Sequence, residues 1–117
     1  MGYDMYLIKA DKRKLKEENY PLWQDIENAT MREVTTYYPV LRDFYQDHDE
    51  LCWTFEEYNL VSEKTLIELI NWLENKIAIE NFGLDNSEER TTKMVYDNIK
   101  NWIPLQENEV IYFEEDN

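Results

Sequence analysis

The chain has 117 residues, with 26 Asp and Glu against 12 Lys and Arg and a formal net charge of −14. A length of this order fits one domain spanning residues 1–117 with a core of its own. The acid excess argues against direct binding to nucleic acid or to anionic membrane, and favours a basic partner.

Cys52 is the only cysteine, so no internal disulfide is expected and a reducing, cytoplasmic compartment is the natural reading. The start MGYDMYLIKA has no basic segment followed by a long apolar stretch, and nowhere do 18 apolar residues run together. Neither a signal peptide nor a membrane span is therefore expected. Nine Tyr, four Trp and four Phe point to a packed core beneath the charged skin rather than a disordered acidic tail.

In chain order, Tyr3 to Ile8 alternates Tyr3, Met5 and Leu7 against Asp4, Tyr6 and Ile8. That is the period of a strand, and because both faces are largely apolar it reads as a central or covered one. Asp11 to Glu18 carries Lys12, Arg13, Lys14 and Lys16, which reads as a solvated loop or first helical turn. Pro21 to Thr30 reads as a short helix with Leu22, Trp23 and Ile26 on one side. Val34 to Tyr38 is β-branched and aromatic, as in a short strand, whereas Val40, Leu41, Phe44 and Tyr45 return to helical spacing over Pro39 to Gln46. Cys52 to Leu60 alternates through Trp53, Phe55 and Tyr58 as a further strand.

Ser62 is placed to cap an amphipathic helix reaching about Ile79, with Leu66, Leu69, Ile70, Leu73 and Ile77 as its apolar stripe, widened by Ile67 and Trp72. Glu63 lies near the positive end of that helix. Ser87 then caps a second helix whose face is Thr91, Met94, Val95, Asn98, Ile99 and Trp102, stopped by Pro104. Val110 to Glu114 closes the chain as a short strand, with Val110 and Tyr112 facing one way and Ile111 and Phe113 the other. The order implies an α+β fold: a small antiparallel or mixed sheet packed by two long amphipathic helices and one or two short helices.

The negative charge is concentrated. Asp43, Asp47, Asp49, Glu50, Glu56, Glu57 and Glu63 follow one another with no Lys or Arg between them. These carboxylates, with Tyr45, Trp53 and Tyr58 as aromatic anchors of low entropic cost, form the candidate partner-binding set. Glu107, Glu109, Glu114, Glu115 and Asp116 form a second acidic patch. The set can equally be a solvated surface, with Trp53 and Tyr58 in the core.

Catalytic chemistry has little support in the residues. Asp47, His48, Asp49 and Glu50, with Asp43 and Cys52 nearby, offer oxygen ligands and one imidazole for a divalent metal that would activate water for hydrolysis. There is no Asp-x-Asp-x-Asn-Gly loop and no His-Glu-x-x-His motif. A phosphate-cradling glycine loop is ruled out, since Gly2 and Gly83 are the only glycines. The expectation is a non-enzyme without metal or other cofactor. An assembly module that buries Tyr37 and Tyr38 in a homodimer is the other reading.

Three blocks carry a resemblance: Met1-Gly2-Tyr3-Asp4-Met5-Tyr6-Leu7, the helix entry Tyr58-Asn59-Leu60-Val61-Ser62-Glu63-Lys64-Thr65-Leu66, and the late acidic strand rich in Tyr and Phe. They resemble small uncharacterised phage and prophage proteins, many of which begin MGLDMYL. Those proteins often carry an Arg-Lys pair and a histidine in a mid-chain helix, where this chain has Pro39-Val40-Leu41-Arg42-Asp43-Phe44-Tyr45. The resemblance implies a phage origin and supplies no activity. In size and acidity, though not in motif, the chain is similar to anti-CRISPR proteins that mimic DNA. That similarity implies an inhibitor of a basic nucleic-acid-binding host protein such as a CRISPR effector, with carboxylates standing in for phosphates.

Overall fold

A computed structural model describes residues 4–19, 21–37, 44, 58–79 and 86–116. The fold is α+β. Its strands are β1 (Asp4–Asp11), β2 (Thr30–Tyr37), β3 (Asn59–Val61) and β4 (Glu109–Asp116), and its helices are α1 (Trp23–Ala29), α2 (Glu63–Ile79) and α3 (Asn86–Ile99). A 3-10 turn, Lys12–Lys14, follows β1. The four strands form one antiparallel sheet in the order β2-β1-β4-β3.

Hydrophobic pattern explains that order. β1 and β4 are the two strands apolar on both faces, and they occupy the centre, where both faces can be covered. On one face Met5, Leu7, Val34, Val61, Ile111 and Phe113 pack against Leu66, Leu69, Ile70 and Leu73 of α2 and Val95 and Ile99 of α3. Ile8, Ala10, Val110 and Tyr112 form a smaller core on the opposite face, against Ile26 and Ala29 of α1. Burying each large aliphatic side chain contributes about 1.5–3 kcal/mol before entropic costs. The main core therefore dominates stability, and the α1 face is the thinner of the two layers.

Two local signals read from the sequence are realised. Ser62 Oγ accepts from the Thr65 backbone N–H at 3.1 Å and so caps α2. Phe44 has helical backbone, is 1% exposed, and meets Trp72 edge to face at a 5.7 Å ring separation. The remainder of the expected Pro39 to Gln46 helix, and Cys52 to Glu57 of the expected strand, lie outside the described residues.

Other expectations are corrected. β2 begins four residues earlier than Val34, because Thr30 to Tyr37 all find partners on β1 except at a bulge. Lys9 pairs with Arg32 and Ala10 with Thr30, which leaves Met31 as the extra residue. In α1 only Ile26 and Ala29 are buried, while Leu22 and Trp23 are each 61% exposed. Ile67 points outward from α2, so it does not widen the stripe. The buried face of α3 is Thr92, Val95 and Ile99, continued by Trp102, whereas Met94 is 43% exposed and Asn98 faces solvent. Ser87 lies inside that helix, which starts at Asn86. β4 is a central strand of eight residues rather than a short closing one.

Candidate functional site

The smaller layer is where the fold leaves an opening. α1 has seven residues, too few to cover the sheet face beneath it. The result is an open cleft of about 440 Å³ lined by Ile8, Trp23, Ile26, Glu27, Thr30, Glu33, Tyr58 and Glu114. Trp23, Ile26, Glu27 and Thr30 follow at i, i+3, i+4 and i+7, the spacing of one helical face, and they form the α1 side. Thr30 anchors that side by donating from Oγ1 to the Ile26 carbonyl at 2.7 Å.

Strand register supplies the other wall. Ile8 pairs with Glu33 on one neighbour and with Tyr112 on the other, so these three side chains share the α1 face. Asn59 pairs with Phe113, which brings the preceding Tyr58 beside Glu114. The Tyr58 ring packs edge-on against Tyr112, with centroids 6.4 Å apart and planes at 78°. Tyr112 is fully buried, and its hydroxyl donates to the Glu18 carbonyl.

The electrostatics of the cleft are one-signed. Burial pushes the Tyr58 phenol up to about 12, and the charges of Glu114, Glu33 and Glu27 add to that push, as does the hydrogen bond the phenol donates to Glu114. Tyr112 is raised further, by burial first and then by Glu18 and Glu17. Among the described residues no Lys, Arg or His lines the cleft, and no cation is paired with Glu27 or Glu33. Asp25, also on α1, buries Oδ2 without a donor.

Acids elsewhere are held internally. Lys9 Nζ meets Glu109 Oε2 at 2.9 Å, and the Gln106 N–H donates to Glu109 Oε1 at 2.8 Å. Burial raises the Glu109 carboxyl, but these partners outweigh it and the net shift is downward. Asp11 takes the Arg13 guanidinium in a two-pronged contact at 2.9 and 2.8 Å. That hydrogen bond holds its carboxyl well below the usual range against the opposing effect of burial.

Of the ten residues singled out from the sequence, Tyr58 belongs to this cleft. Glu63 does not: it starts α2, on the opposite face of the sheet, and its Oε2 accepts from the Leu105 N–H at 2.7 Å. Asp43, Tyr45, Asp47, Asp49, Glu50, Trp53, Glu56 and Glu57 lie outside the described residues, as do His48 and Cys52. The expected second patch is divided, since Glu109 and Glu114 are five residues apart on one strand and face opposite sides. Glu107 is exposed on the turn before β4.

Sequence reasoning missed Trp23, Glu27, Thr30 and Glu33 as lining residues. The i, i+3, i+4, i+7 set with a glutamate inside it was the available signal for the α1 wall. Glu33 had none, because its place at the cleft depends on pairing with β1.

The arrangement offers carboxylates, two aromatic rings and an apolar floor. Among the described residues no cluster of His, Cys, Asp and Glu is arranged to hold a metal. No described helix is long and apolar enough to cross a membrane. No protein-family model, curated relative or solved structure matches the chain.

Proposed function

We propose that this chain is a non-enzymatic, phage-type inhibitor that acts in the host cytoplasm and binds a basic, nucleic-acid-binding host protein, a CRISPR effector in particular. In this reading it acts as a DNA mimic through surface carboxylates. The observation that carries the reading is the convergence of Glu27, Glu33 and Glu114 on an open aromatic cleft that no cation lines among the described residues, in a chain of net charge −14. Carboxylates held on a folded surface attract Lys and Arg, and they do so without the ordering cost that a flexible acidic tail incurs. In sequence, Tyr58 directly follows Glu56 and Glu57, the end of the Asp43 to Glu57 acidic run. A nuclease that holds DNA through Lys and Arg presents the complementary surface.

Affinity capture tests the reading. The immobilised chain is exposed to a bacterial lysate supplemented with CRISPR effector complexes, and the retained material is washed at low and high salt. The expected result is a basic nucleic-acid-binding protein that is retained at low salt and released by added target DNA. Retention of the chain itself alone, or of neutral partners insensitive to salt, would overturn it.

A further inference from the structure

We infer that the cleft between α1 and the sheet is a seat for a single guanidinium group, the side chain of an arginine on the partner protein. This assignment rests on the proposed binding to a basic partner and names the group that such a partner would insert here.

The cleft has an apolar base. Its floor is Ile8 and Ile26, both buried, and its volume of about 440 Å³ has room for one long side chain. Trp23 stands at one side, 61% exposed, and Tyr58 at another. A cation over the face of an indole or phenol gains roughly 0.5–2 kcal/mol depending on desolvation. The described residues already make this contact: Lys76 lies 4.9 Å from the Trp72 ring centre, and Lys100 lies 5.4 Å from that of Tyr96. Among the described residues no cation is recorded over Trp23.

Carboxylate placement selects the cation. Glu27 projects from the helix wall, while Glu33 and Glu114 project from β2 and β4, on either side of β1. A planar guanidinium offers five N–H donors in a fork, stacks on aromatic faces and is weakly hydrated. It can therefore face carboxylates on two sides while its plane lies against a ring. An ammonium is a compact, strongly hydrated point charge, and it would use the aromatic wall less well.

The test is an NMR titration of the intact chain at low salt, following the Trp23 indole N–H resonance, assigned with W23F. The probes are N-acetyl-arginine amide, which carries the guanidinium as its only charge, and N-acetyl-citrulline amide, its neutral isostere. The expected result is a saturable shift with the arginine probe and none with the citrulline probe. Removing a charge with Glu33→Gln or Glu114→Gln should weaken the arginine probe by about tenfold each. Glu33 is exposed on an edge strand, so its substitution tests the seat without disturbing the core.

Equal shifts from both probes, or no shift from the arginine probe, would overturn the assignment. The same preparations are then used for effector capture. Capture that persists in a chain whose cleft ignores the arginine probe removes the seat and leaves the proposed function standing. A seated probe with no basic partner captured removes the proposed function and leaves the seat.

Discussion

Tyr58 and Tyr112 meet edge to face, 6.4 Å between ring centres, on the sheet face that α1 only partly covers. One ring is fully buried beneath the layer and the other lines the cleft. The pair thus couples the minor core to the candidate site.

That coupling sets a pH dependence. Tyr58 is raised from 10.0 to about 12 and Tyr112 further, both by burial before any charge effect. A group whose folded value is raised contributes stability that is fully present below its unfolded value and is lost as pH climbs through the folded one. The contribution should therefore hold up to about pH 10 and fade between 10 and 12 for Tyr58. Alkaline titration by tyrosinate absorbance should show Tyr58 and Tyr112 ionising late. Tyr58→Phe should remove one of them, and Glu114→Gln should move Tyr58 back toward 10.

Capping gives a second expectation. Ser62 Oγ satisfies the Thr65 N–H at the start of α2, and Ser62→Ala should lower unfolding stability by about 1 kcal/mol. Ser62→Asp should restore most of it, since the carboxylate can accept the same bond at the positive helix end. Denaturant unfolding monitored by circular dichroism would measure both.

A third expectation separates the true helix faces from those read off the sequence. Leu73 is fully buried, and Leu73→Ala should cost about 2–5 kcal/mol. Ile67→Ala and Met94→Ala, at 38% and 43% exposure, should cost no more than about 1 kcal/mol each. Equal costs at all three positions would contradict the observed helix registers.

The Lys9–Glu109 pair gives a fourth, in acid. Glu109 is held below its ordinary value of 4.5 in spite of burial. Its contribution is therefore present above the unfolded value and lost as pH falls from about 4.5 downward. Lys9→Met should destabilise the chain at pH 7 by leaving a partly buried carboxylate with one backbone donor. The variant should also lose less on acidification than the wild type, as read by thermal unfolding at pH 7 and pH 3.

These helix positions also show how far the sequence could be read. Several local patterns held: Ser62 caps α2, Leu66, Leu69, Ile70 and Leu73 face the core, and Tyr3 to Ile8 foretold a strand covered on both sides. Met94 and Thr92 show the limit, because a face with few apolar residues admits two neighbouring registers and only packing against the sheet selects one. The cleft was less legible still. Trp23 looked like core from its apolar character, yet α1 is short and leaves it at the rim. Glu33 and Glu114 lie 81 positions apart in the chain and come to one face through the pairing of β2 and β4 with β1, which a linear pattern does not encode. The acidic run was visible at once as charge; of the ten candidate residues the described ones are Tyr58, at the cleft, and Glu63, on the opposite face of the sheet.

The central claim, binding to a basic nucleic-acid-holding surface through carboxylates, is tested most directly by competition. Labelled target DNA is bound to a purified CRISPR effector with its guide, and this chain is added over a range of salt concentrations while DNA release is followed by fluorescence anisotropy. The account predicts release that weakens steeply as salt rises. It also predicts that release is abolished, with the circular dichroism spectrum unchanged, when Asp47, Asp49, Glu50, Glu56 and Glu57 are reversed to Lys. Release that is indifferent to both salt and charge reversal, or DNA that stays bound at every concentration across the effector types tried, would contradict it.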